Sequence, residues 1–387
     1  MGYNSFWEIQ SRFWRVYDFC FRSRWYRNQS KKSNDNSVIF NWNMNNKNCF
    51  DFLRFFFAAN ILLAHLCELS QNKSLEFLAT FSNSSIAVQG FFIISGFLVA
   101  KSYTNTPSLK EYFIKRAKRI LPAYIVVLLF SAVTLSFFSS FSFLDYFTDI
   151  NVYKYLGWNS LFLNFMHPCL PGLFENNLMC AVNGALWTLK VEEGFYIVLP
   201  FIFYAIKKSK KPFLILGSLY FLSLLYWFFM DFYLNQPLLA KQLPGYIAYF
   251  VTGIFLFLNF DFVLQNKGKL LIASIFGLII SNILNFQIDI LYPAAFGTIV
   301  IIAAYSLPFL NNFGKYGDFT YGLYIYHFPV IQLFRQYNLF EKYNPIVMAF
   351  AVILITFFFA VLSWFFIEKR FLDRFKNKDI KQKMAVC

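Results

Sequence analysis

Apolar runs of bilayer-crossing length recur along the whole chain, near residues 50–69, 84–101, 119–138, 187–206, 212–230, 244–259, 269–284, 291–310, 318–334 and 345–367. A helix needs about 20 mostly apolar residues to cross the hydrocarbon core. The runs are continuous rather than alternating. That pattern selects helices over a barrel, because backbone in lipid must satisfy its own hydrogen bonds. Composition agrees: 58% of the 387 residues are hydrophobic and 14% charged, with 55 Phe and 24 Tyr, where soluble domains run near half apolar and a quarter charged. The expected fold is an all-α polytopic membrane protein of about ten transmembrane helices. The sixth and seventh runs are the weakest, being short and bearing Gly253 and Gly277.

Charge sets the orientation. Most of the 35 Lys and Arg fall at the two ends and in alternate connecting segments. The other connections hold only Lys73, Lys154, Lys241, Arg335 and Lys342, and Arg54 and Lys190 lie inside spans. Segments rich in Lys and Arg stay in the cytoplasm, so both termini are expected there. Topology also accounts for the net charge of +15, and nucleic acid is not expected as a partner. Three regions follow: a basic cytoplasmic segment 1–49, a transmembrane body 50–368 and a basic tail 369–387. Residues 28–37 read as a linker. Residues 6–22 place Phe6, Ile9, Phe13 and Cys20 opposite Glu8, Arg12, Arg15 and Arg22. That is either a helix lying on the anionic leaflet or a disordered basic leader that only sets topology. The first 49 residues lack the apolar core of a cleavable signal peptide.

Arg54 and His65 share the first run. Eleven helical steps turn about 20° past three full turns and rise roughly 16 Å. Both side chains therefore lie on one stripe of one helix. A cation and an imidazole inside a membrane helix are costly and usually face a cavity in which they work. With both termini cytoplasmic, Arg54 falls near the cytoplasmic end and His65 towards the outside. The pair suits a ligand that enters from one face and reacts deeper in. Only three histidines exist, and imidazole is the side chain that exchanges protons near neutral pH. His65 is read as functional. His327 reads first as a polar tip among tyrosines, and His167 as a loop residue.

Other segments add polar groups to apolar surroundings. Residues 185–200 (ALWTLKVEEGFYIVLP) place Lys190, Glu192 and Glu193 at the start of the fourth span. Either a carboxylate orients His65 or binds a substrate hydroxyl, or Lys and Glu pair with each other. Glu192 is preferred, with Glu193 facing outwards. Residues 115–124 (KRAKRILPAY) put four cations at the cytoplasmic mouth of the third span. These either set topology or form an anion site, in which Arg makes forked phosphate contacts. Ser95 and Gly96 sit mid-helix in GFFIISGFL, where small residues permit close helix approach or leave room for a thin ligand chain. Cys169 and Cys180 lie in the long exterior connection, 139–186. They either form a disulfide or remain two thiols. No Cys/His spacing indicates a metal site.

Taken in order, these elements resemble the acyltransferase-3 family of integral membrane acyltransferases. The matching features are Arg54 and His65 with ten residues between them, FFIISGFL at 91–98, KRAKRILPAY at 115–124, ALWTLKVEEGFY at 185–196 and YGLYIYHFPV at 321–330. The chain departs from the family where Ala87-Val88-Gln89 replaces a frequent Gly-Val-Asp. It also lacks the esterase-like domain that some members append, so the membrane body is expected to complete the transfer itself. The resemblance implies acetyl-CoA as acyl donor from the cytoplasm, with no permanently bound cofactor. The implied acceptor is a sugar hydroxyl of an extracytoplasmic or lipid-linked bacterial glycan, and the implied location the bacterial inner membrane. His65 would be general base, with Glu192 as its catalytic partner. Arg54, Arg116, Arg119 and Ser95 would hold the donor, and Trp187, Lys190 and His327 the acceptor. The competing reading is a transporter of a lipid-linked sugar or related solute.

Overall fold

A computed structural model describes residues 47–284 and 290–372. The amphipathic reading of 6–22, the linker and most of the basic tail lie outside the described residues. Helices occupy all ten expected positions: α1 Phe50–Ser70, α2 Ser84–Thr104, α3 Leu109–Leu135, α4 Trp187–Ser209, α5 Pro212–Phe228, α6 Leu243–Leu258, α7 Lys267–Leu284, α8 Tyr292–Ser306, α9 Thr320–Gln336 and α10 Pro345–Ser363. Local chemistry fixes several starts. The Asn83 side chain accepts from the Ile86 N–H at the head of α2. Ser108 accepts from the Glu111 N–H at the head of α3, in the Ser-x-x-Glu spacing that caps helices. Proline opens α5 and α10, where its missing N–H leaves no intrahelical bond unmade.

Six described helices are long and apolar enough to cross a bilayer: 50–70, 84–104, 109–138, 212–233, 237–258 and 345–371. A seventh is reached if α8 and the turn after it, bent by 72°, count as one broken span. The expected count of ten thus exceeds what length and composition give. α4 is continuous but carries Lys190, Glu192 and Glu193 within its first turns, and α8 and α9 have only 15 and 17 residues.

α9 is buried all round over its first thirteen residues, Thr320 to Gln332, as a helix apolar on every side must be. It packs between α1 and α10, while α2 makes its largest contact with α6. Glycine permits both close approaches. A Cβ on Gly96 would strike the Phe250 carbonyl, and one on Gly253 would lie 2.7 Å from the Phe97 nitrogen. A Cβ on Gly322 would sit 2.6 Å from the Ala360 Cα.

Two expectations change. α3 begins ten residues before the expected third span, so the cations of 115–119 are helical rather than in a loop. The 139–186 connection contains two short helices, Phe143–Thr148 and Ile150–Ser160. Beyond them Cys169 and Cys180 are joined by a disulfide.

Candidate active site

A cavity of about 440 Å³ opens among α1, α2, α3, α4 and the start of α9. Along α2 its lining runs from Val88 to Val99, roughly 16 Å of helix. One end is cationic: Arg54, Lys115, Arg116, Lys118 and Arg119 line it. The other end is bounded by Phe91, Thr188 and Tyr324.

Register explains how neighbours divide the work. Successive residues of a helix are about 100° apart. On α2, Ser95 lines the cavity while Gly96 turns to α6. On α4, Glu192 lines the cavity and accepts a hydrogen bond from the Tyr196 hydroxyl. Glu193 does not face outwards as expected. It is half-buried, and its Oε1 is buried with no hydrogen-bond partner among the described residues.

The cationic end is built around Asp318, whose side chain is only 2% exposed. Its Oδ2 lies 2.8 Å from Arg119 Nη2 and 3.5 Å from Arg54 Nη2. Arg54 also pairs with Asp51 one turn back on α1. Arg116 donates to Ser102 Oγ at 3.3 Å, and its guanidinium lies 5.5 Å from the Tyr196 ring centre. Among the described residues, three polar atoms on these walls are buried without a partner: Arg54 Nε, Arg116 Nε and Ser95 Oγ. Unsatisfied buried donors cost about 1–3 kcal/mol each. Two unpaired guanidinium N–H groups and a hydroxyl in one cavity fit a ligand rich in acceptors and negative charge.

His65 and His327 meet across α1 and α9. His65 Nδ1 is 2.7 Å from His327 Nε2, and His327 Nδ1 is 3.2 Å from the Leu323 carbonyl oxygen. A carbonyl only accepts, so the hydrogen-bond network assigns the His327 proton to Nδ1. His327 Nε2 then accepts from His65 Nδ1–H, which leaves the His65 Nε2 lone pair free. This is the tautomer a general base needs. His327 is fully buried, not the tip among tyrosines that its segment suggests. Neither imidazole lines the cavity. Tyr324 stands between, its ring 6.0 Å from that of His327 and 6.2 Å from that of Phe91. Its hydroxyl donates to the Ala185 carbonyl at 2.7 Å and contacts Thr188.

The structure therefore brings Arg54, Arg116, Arg119, Ser95 and Glu192 to one cavity and His65 and His327 to one pair. Trp187 and Lys190 line neither. Trp187 stacks on Tyr246, ring centres 6.1 Å apart, and Lys190 lies 4.8 Å from the Phe165 ring centre. Sequence reasoning passed over Asp51, Asp318, Thr188, Tyr196 and Tyr324. Asp51 carried a signal, a carboxylate three residues before Arg54 in an apolar run. Asp318 carried none, since its partner Arg119 lies 199 residues away.

Fold and site together define a helical membrane protein with a largely apolar cavity, cationic at one end, and a hydrogen-bonded pair of imidazoles, His65 and His327. The chain belongs to the acyltransferase-3 family: the family model, described as an acyltransferase domain, matches residues 47–365. It is 28% identical over 341 residues to the O-acetyl transferase of Shigella phage Sf6, covering 87% of this chain and 99% of that protein. It is 27% identical over 315 residues to nodulation protein 10 of Rhizobium leguminosarum bv. viciae, covering 74% and 83%. No solved structure matches.

Proposed function

We propose that this protein transfers an acetyl group from acetyl-CoA to a sugar hydroxyl of a bacterial surface glycan. The observation that carries the reading is one cavity, cationic at one end, whose other end lies beside the His65–His327 pair. Family membership and the O-acetyl transferase named among its relatives support acyl transfer over solute transport.

In this reading the chain spans the inner membrane ten times with both termini cytoplasmic. The distribution of Lys and Arg supports that orientation. So does the Cys169–Cys180 disulfide, which sits on the connection assigned to the oxidising exterior. Arg54, Arg116 and Arg119 hold the CoA phosphates, and Ser95 lies along the path of the pantetheine arm. His65 Nε2 takes the proton of the acceptor hydroxyl as its oxygen attacks the thioester carbonyl carbon. The tetrahedral adduct collapses, the C–S bond breaks, and His65 gives the proton it took to the departing sulfur, so CoA leaves as the thiol and His65 returns to its neutral form. The products are an O-acetyl sugar and CoA. His327 holds His65 in the productive tautomer, and Glu192 fixes Tyr196 on the cavity wall. Trp187 and Lys190, off the cavity, are placed for the acceptor rather than the donor.

Glycan mass spectrometry tests this. Cells lacking the gene are complemented with the natural chain or with His65→Ala. The natural chain should restore one acetyl mass per repeat and His65→Ala should not. Acetylation restored equally by both would overturn the mechanism.

A further inference from the structure

Along α2 the cavity is lined by a regular series. Val88, Phe91, Ser95 and Val99 all face it and follow one another at intervals of three, four and four, so they form one stripe of the helix. Phe91 stands one turn from Ser95, about 6 Å along the axis. Thr188 on α4 and Tyr324 on α9 line the same end. The Tyr324 ring lies 6.2 Å from that of Phe91, centre to centre, and is set at 68° to it.

These groups are held in place. Tyr324 is buried, and its hydroxyl donates to the Ala185 carbonyl at 2.7 Å and contacts the Thr188 hydroxyl. Thr188 lies 3.3 Å from the same carbonyl. Phe91 packs on Phe57, ring centres 5.9 Å apart. Phe57 is itself buried and sits so close to α2 that a Cβ on Gly90 would lie 2.4 Å from its ring. Close-packed rings give way to an added methylene only at a cost in strain. This end of the cavity is therefore a firm stop rather than a yielding one.

We propose that Phe91 and Tyr324 measure the acyl group, admitting acetyl and rejecting longer chains; this rests on the acyl-CoA reading of the cavity. With the phosphates at Arg54, Arg116 and Arg119 and the arm beside Ser95, the thioester falls in the turn between Ser95 and Phe91. The acyl chain then leads towards the rings. A single methyl ends short of them. A longer chain meets them while phosphates and arm are still in place, so its carbonyl is set back towards the cationic end, away from His65. A misplacement of about 1 Å costs about a hundredfold in rate.

Donor competition tests the proposal. Washed, permeabilised cells lacking the gene are complemented with the natural chain or a variant and given acetyl-CoA or butyryl-CoA, and the acyl mass gained by the glycan is followed. The natural chain should prefer acetyl-CoA by about a hundredfold in kcat/KM, mostly through kcat, and butyryl-CoA should compete with acetyl-CoA for the cavity. Phe91→Ala should cut the preference to about tenfold or less by raising butyryl transfer, with Phe91→Leu between. A variant that merely folds poorly loses rate on both donors alike and leaves their ratio unmoved. Equal kcat/KM for the two donors with the natural chain, or a ratio that neither variant moves, would overturn the proposal. No acyl mass from either donor with the natural chain would instead sink the acyltransferase reading.

Discussion

At the scale of single residues, the chemistry depends on partners far apart in sequence. His65 and His327 are 262 residues apart, and the tautomer of one is set by a carbonyl bonded to the other. His327→Phe keeps an aromatic ring but removes the acceptor for His65 Nδ1–H. We expect the turnover number to fall by about 10²-fold or more with KM for acetyl-CoA unchanged, as read by thiol release in purified membranes. Unchanged turnover would show that His327 is packing alone. Asp318 makes a different case. Removing one partner of a buried ion cluster leaves uncompensated charge, at a cost of about 3 kcal/mol. Asp318→Asn should therefore lower the thermal midpoint in detergent, whereas Arg116→Gln, at a residue that forms no ion pair among the described residues, should barely move it. The register of Arg54 and His65 was legible because eleven residues is a helical quantity. His327 and Asp318 were illegible as partners because nothing local in an apolar run says which distant run it will meet.

At the scale of helices, sequence pattern carried much further. Continuous apolar runs place the ten helices, because the forces that begin and end a helix act within a turn, but the Ser108-x-x-Glu111 cap that starts α3 ten residues before the expected span was passed over. The short helices over 143–160 were missed because each has only 6 or 11 residues and reads as loop between longer runs. Ser95 and Gly96 show what pattern alone does not separate. The sequence offers close packing or ligand passage for both, and the structure gives packing to Gly96 and the cavity to Ser95. Gly96→Ala should destabilise the bundle by about 1–3 kcal/mol, because its new methyl meets backbone that cannot swing away. Ser95→Ala should leave the unfolding midpoint in place and raise KM for acetyl-CoA. Thermal unfolding and initial rates on the two variants separate the roles, and a reversed pattern would refute the assignment.

At the scale of the whole molecule, the disulfide loop acts as a strap across the imidazole end. Gln332 on α9 donates to the Met179 and Ala181 carbonyls at 2.8 Å and contacts Asn177, while Cys169–Cys180 closes the loop. Closing a loop of this length removes unfolded-state freedom worth about 3 kcal/mol. Replacing both cysteines with serine should loosen the strap and raise KM for the acceptor, with donor hydrolysis rates preserved. A loss of donor hydrolysis instead would mean that the strap supports the whole bundle.

The wall formed by Phe91 and Tyr324 has a consequence of an electrical kind. A bilayer holding 100 mV sets about 2.3 kcal/mol on every proton that crosses it. Imidazoles relay protons readily, and a water-filled bore from the cationic mouth to His65 would drain that gradient through the protein. Phe91 and Tyr324, ring centres 6.2 Å apart, line that end of the cavity, and in the proposed reading they would insulate the two faces from each other while a thioester entered from one of them.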